Sequence, residues 1–225
     1  MKSSASLYIA AGFAAFSGIA YELLLASYAT FLLGASIVQY SLVISLMMAS
    51  MGLGSLVSDR FSKRPLKALL TIESCLACFA VFALPTLYWV YSQNISPHLP
   101  LLLFVILMGG GLGMEIPLIN TLSDNPKGLP KLLFWDYLGG FIGGLLFPLV
   151  LVPRMGFFQI AGLLSLANSV TGLILVISHR RRLGQARYFW FGLVVASLIL
   201  SIGYLSVAKG LRLEMETTLF GIKHP

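Results

Sequence analysis

Seven runs of apolar residues succeed one another along the chain, at 6–33, 36–57, 66–91, 99–122, 131–152, 157–178 and 187–208. Each is close to or above the length of about 20 residues that a helix needs to cross a lipid bilayer. Turn-forming and polar residues separate them: Gly34, then Ser62 to Pro65, then Gln93 to Pro97. Asp124-Asn125-Pro126, Pro153 to Gly156 and His179 to Arg187 follow. The links are short, so successive spans are expected to pack antiparallel. The first run follows Met1-Lys2 as a signal peptide would. It is far longer than the 7–15 apolar residues such a peptide carries, and it reads as a retained first span.

Composition sharpens this picture. Of the residues, 58% are hydrophobic and 10% charged, against about 25% charged in a soluble domain. A soluble fold would leave far too much apolar surface in water. The sequence therefore predicts an all-α integral membrane protein, a seven-helix bundle over 1–208 with a juxtamembrane tail at 209–225. The formal charge of +7 would suggest a nucleic-acid partner in a soluble protein. Here the basic residues fall in the links, which excludes that reading and sets orientation instead. Lys2, the 2–3 link (Arg60, Lys63, Arg64, Lys67), the 4–5 link (Lys127, Lys131) and the 6–7 link (Arg180, Arg181, Arg182, Arg187) share one side. The other side has only Arg154 in its links. The N-terminus is thus expected in the cytoplasm and the tail outside, although the tail also carries Lys209, Arg212 and Lys223.

Four carboxylates fall inside the expected spans: Glu22, Glu73, Glu115 and Asp136. No lysine lies deep in any span to neutralise them. A charge at mid-membrane costs at least about 2.5–3.5 kcal/mol, so such groups should face the bundle interior, a water-filled cavity or one another. Glu115 lies roughly two helical turns from the cytoplasmic end of span 4. Glu73 and Asp136 lie about two turns in from the starts of spans 3 and 5. Glu22 sits deeper, near the middle of span 1. This placement suggests a cation or proton site open to the cytoplasmic side. Glu73, near the interface, is expected to snorkel. Asp136 sits between Trp135 and Tyr137, an interfacial aromatic pair. The glycines before Glu115, from Gly109 to Gly113, and Pro117 after it predict a broken helix there.

Other residue patterns carry less chemistry. Gly139, Gly140, Gly143 and Gly144 make two overlapping small-xxx-small pairs, suited to close helix packing within the bundle or to a homodimer. Gly52 and Gly54 offer the same on span 2. Cys75 and Cys78 read as small packing residues on one helical face, with too few ligands nearby for a metal. His98, His179 and His224 pair with no nucleophile, so no catalytic residue is assigned. The glycines near 110 lack the Lys-Ser/Thr of a phosphate loop.

Two resemblances follow from these motifs. Ser55-Leu-Val-Ser-Asp59-Arg60-Phe-Ser-Lys63-Arg64 resembles the cytoplasmic loop motif of major facilitator transporters, with serines where that motif has glycines. This implies six spans like half of such a transporter plus one extra. Ser17-Gly18-Ile-Ala-Tyr21-Glu22, Gly113-Met-Glu115-Ile-Pro117, Asp136-Tyr-Leu-Gly139-Gly140 and Leu151-Val-Pro153-Arg154-Met-Gly156 resemble the membrane part of spermidine-synthase-like proteins. The tail Leu219-Phe-Gly-Ile-Lys223-His-Pro225 resembles the entry into that family's soluble domain. That domain transfers an aminopropyl group from decarboxylated S-adenosylmethionine to putrescine, and it is expected beyond Pro225. A cofactor is thus implied only for that domain and none for these 225 residues.

The leading expectation is therefore a membrane domain, in a bacterial cytoplasmic membrane, that binds or conducts a cationic polyamine through Glu22, Glu115 and Asp136, with Glu73 nearby. A stand-alone, proton-coupled half-transporter acting as a dimer is the second, and a passive anchor for an enzyme the third. A tail on the outside conflicts with a cytosolic donor nucleotide, and the sequence leaves that conflict open.

Overall fold

The computed structural model describes residues 2–123 and 128–220, a set of helices joined by short links with no strand among them. The turn expected at Asp124-Asn125-Pro126, together with Lys127, Lys223 and His224, lies outside the described residues. Helix α1 spans Lys2–Leu33 and α2 spans Ser36–Ser58. The chain reverses between them through Gly34 and Ala35, both at positive φ (71° and 47°). Glycine takes that conformation without a Cβ penalty, which is why the first apolar run ends there. A 3-10 turn at Asp59–Phe61 leads to α3, Pro65–Ser92, with a proline in its first turn where no amide donor is missed.

Helix α4 spans His98–Leu122 without interruption. The expected break at Gly109 to Gly113 is absent. These glycines serve contact instead of distortion: a Cβ on Gly113 would overlap the backbone at Met51 of α2, and one on Gly109 would meet Met47. Gly54 of α2 lies equally close to the Gly110 carbonyl, whereas Gly52 has no neighbour within 4 Å. Helix α5, Leu129–Leu146, passes into a π-helical turn at Phe147–Leu151 and a last turn, α6, at Val152–Arg154. Pro148 in that turn has no amide hydrogen to give, a recognised cause of such a local change in helix pitch.

Helix α7 spans Phe157–Ser178, α8 Arg180–Leu183, and α9 Arg187–Phe220. Helix α9 does not stop at 208. Leu, Arg, Glu and Met, all good helix formers, carry it on for three more turns. There the Tyr28 hydroxyl of α1 donates to the Met215 thioether at 3.5 Å. On the opposite side of the bundle, Arg182 donates to the Leu122 carbonyl at 3.3 Å. The arginine-rich link and the end of α4 therefore lie together.

Among the described residues, seven helices are long and apolar enough to cross a membrane. Helix α1 packs most heavily on α5, α2 on α4, α3 on α7, and α9 on α7 and α3. The first contact is made close by glycine: a Cβ on Gly139 would strike the Gly12 carbonyl, and one on Gly143 the backbone at Phe16. These glycines thus pack inside one chain. Gly140 and Gly144 lie beside the Ile19 side chain. The outward faces of α2, of α5 and of the π-helical turn after it expose Ile37, Met48, Leu56, Phe141 and Leu149. Cys75 is exposed on the bundle surface and Cys78 partly so.

Candidate functional site

One cavity gathers three of the four acids. Glu22 of α1, Glu115 of α4 and Asp136 of α5 all line a space of about 560 Å³. The helices open there because α4 and α5 touch only sparsely, while α1 packs on both and α2 on α4 alone. Helix α1 crosses α4 at Gly18, where a Cβ would make ordinary contact with the Leu112 side chain at 3.4 Å. The two helices carry the same spacing at the crossing, Gly18-Ile-Ala-Tyr-Glu22 and Gly111-Leu-Gly-Met-Glu115. Four residues from each glycine, just over one turn on, an acid turns toward the shared space. Ser55, Tyr137 and Pro117 contribute to the wall, and no lysine or arginine does.

The three acids are not equally placed. Glu22 and Asp136 are half-buried. Glu115 is 3% exposed, with one carboxyl oxygen lacking a hydrogen-bond partner. It lies within electrostatic reach of Asp136 across the cavity. No basic group among the cavity's walls offsets them, so the space is a region of accumulated negative potential whenever its acids are ionised.

Glu73 behaves otherwise than the sequence led one to expect. It does not snorkel. It is 1% exposed, its Oε2 has no hydrogen-bond partner, and it is not part of the cavity wall. The face of α3 that carries it is covered by α7, where a Cβ on Gly172 would stand 3.7 Å from the Glu73 Cβ. It lies within electrostatic reach of Glu115 and of Tyr21. Tyr21 was not singled out from the sequence, yet it is 1% exposed with its hydroxyl unpartnered. Its position beside Glu22 in a glycine-started motif was the available signal. Asn168 of α7, one turn before Gly172, is also buried with its amide nitrogen unpartnered.

The remaining candidates stand apart. Asp59, Arg60, Lys63 and Arg64 are exposed in the link after α2. His98 accepts from or donates to Ser96 at 2.7 Å on an exposed link, and His179 is buried at the end of α7. Among the described residues no three His, Cys, Asp or Glu side chains gather as a metal ion would require.

Comparison with known proteins adds a name to the geometry. A polyamine aminopropyltransferase 1 of Streptomyces coelicolor is 32% identical over 212 residues, covering 91% of this chain and 38% of that protein. A polyamine aminopropyltransferase 2 of Aquifex aeolicus is 34% identical over 184 residues, 78% of this chain and 37% of its own length. The corresponding protein of Oceanobacillus iheyensis is 27% identical over 206 residues, 88% and 40% respectively. The chain's homologues are polyamine aminopropyltransferases. It spans less than half of their length. No family model and no solved structure matches.

Proposed function

We propose that this chain is the membrane-embedded part of a polyamine-aminopropyltransferase-like protein, and that its cavity receives a cationic polyamine. The observation that carries the reading is the convergence of Glu22, Glu115 and Asp136, from three helices, on one space without a basic residue in its wall. A diamine or triamine at neutral pH carries an ammonium at each end. Each ammonium needs acceptors, and at an effective dielectric of about 20 a carboxylate 4 Å away contributes about 4 kcal/mol of Coulomb energy. The size of the space suits a small ligand. The names of the relatives point to the same class of molecule.

The membrane setting of this proposal rests on seven helices of sufficient length and apolarity and on their exposed apolar faces. The arginine-rich 6–7 link supports a cytoplasmic N-terminus in a bacterial inner membrane. The lipid bilayer is then the chain's principal partner. A passive anchor would leave the buried acids without a purpose, since each burdens insertion.

Equilibrium binding of putrescine and spermidine to the purified protein in lipid nanodiscs tests the reading. Saturable binding that falls at least tenfold in Glu115→Gln supports it. Equal binding by the two proteins overturns it.

A further inference from the structure

Behind the cavity, Glu115 belongs to a second polar group whose other members, Glu73 and Tyr21, the polyamine reading does not use. Glu73, Glu115 and Tyr21 come from α3, α4 and α1, are almost wholly buried, and each has a polar oxygen without a hydrogen-bond partner. The three are within electrostatic reach of one another. Only Glu115 also borders the cavity.

We propose that Glu73 and Glu115, with the Tyr21 hydroxyl, form a buried proton-holding site, and that the proton on Glu115 is exchanged for a cation entering the cavity. The exchange half rests on the polyamine reading; the proton site does not. Its basis is what surrounds the acids. Helix α1 presents Tyr21 and, at the cavity, Glu22. Helix α4 presents Glu115, with Asp136 of α5 across the cavity. Helix α7 carries no titratable side chain and presents Asn168 beside Gly172. Helix α9 has no charged residue between Arg187 and Lys209, and its buried polar residues there are Ser197, Ser201 and Tyr204. Among the described residues, no lysine or arginine therefore faces Glu73 from a helix packed against α3. An isolated ionised carboxylate in such a place is so costly that the group takes up a proton instead. No hydrogen bond offsets an ionised charge there either: Glu73 Oε2 and Glu115 Oε1 accept from no donor, the Tyr21 hydroxyl included.

The exchange itself is balanced. An ammonium enters the cavity, the O–H bond of the Glu115 carboxylic acid breaks, and its proton leaves through the cavity to water. The Glu115 carboxylate then accepts from the ammonium. Glu73, walled off from the cavity, keeps its proton throughout.

Infrared spectroscopy of the protein in nanodiscs reads this directly, because the C=O stretch of a protonated carboxyl is separate from that of a carboxylate. At neutral pH the wild-type protein is expected to show this band. Glu73→Gln and Glu115→Gln should each remove a different part of it. Transfer to heavy water should shift the Glu115 part quickly and the Glu73 part slowly. Putrescine should erase only the Glu115 part and release a proton to a weakly buffered solution. Should Glu73→Gln not fold, Tyr21→Phe keeps both acids and is expected to shift the band by removing their hydroxyl neighbour. A band absent from the wild type, or unchanged in all three variants, overturns the proton site. Putrescine binding with no band loss and no proton release overturns the exchange. Bands assigned to both acids in a protein that binds no polyamine sustain the proton site and sink the polyamine reading instead.

Discussion

Glu115 on α4 and Asp136 on α5 face each other across a space that their own helices leave open. Helices α4 and α5 are consecutive, yet they touch only sparsely, because α4 is held by α2 and α5 by α1. Glycine contacts fix both pairs: Gly113 against Met51 and Gly139 against Gly12. The acids are thus kept apart by packing elsewhere in the bundle, which keeps a gap between them large enough for a guest.

If that guest is a polyamine, Asp136→Asn removes one acceptor for its ammonium and leaves the shape of the cavity intact. A hydrogen bond to a charged group is worth about 1.5–3 kcal/mol. Since about 1.4 kcal/mol is a factor of ten, putrescine affinity should fall about ten- to hundred-fold. Isothermal titration calorimetry of the variant in nanodiscs checks this.

The glycine contacts make a prediction about stability with its own control. Gly113→Leu and Gly139→Leu place side chains where backbone already lies. Overpacking of this kind costs about 1–3 kcal/mol, and more where backbone must move. Gly52→Leu, with nothing within 4 Å, should leave the bundle unaffected. Thermal unfolding of the three variants in one detergent separates the two classes.

Cys75 provides a test of the membrane setting. It is exposed on the outer face of α3, in the midst of an apolar run. In a bilayer that thiol faces lipid, where the reactive thiolate is suppressed. A charged maleimide should label it readily after denaturation in detergent and hardly at all in intact vesicles. Rapid labelling in sealed vesicles would place that face in water.

Much of this architecture could be read from the chain. Runs of apolar residues closed by Gly34, Pro65 and Pro97 mark where helices begin and end. The absence of lysine deep in any apolar run marks Glu22, Glu115 and Asp136 as residues in need of a shared interior. What the sequence hid is rotation. In a helix that is apolar all round, periodicity does not say which stripe faces inward, so Glu73 read as an interfacial acid when α7 in fact covers it. The same ambiguity hid Tyr21. The glycines before Glu115 were open to two readings, weak helix or close contact. Tertiary packing against α2 decided for contact, overriding the low helix propensity of glycine. Likewise the charged residues after Ala208 suggested the end of a span, but they also favour helix, and α9 simply continues.

If Glu22, Glu115 and Asp136 make one cation site, removing all three acids removes binding. The most direct test is a calorimetric titration of spermidine into the wild-type protein and into the triple variant Glu22→Gln, Glu115→Gln, Asp136→Asn, both in nanodiscs of the same uncharged lipid. Saturable binding to the first and none to the second is expected. Indistinguishable titrations of two folded proteins would contradict the shared site.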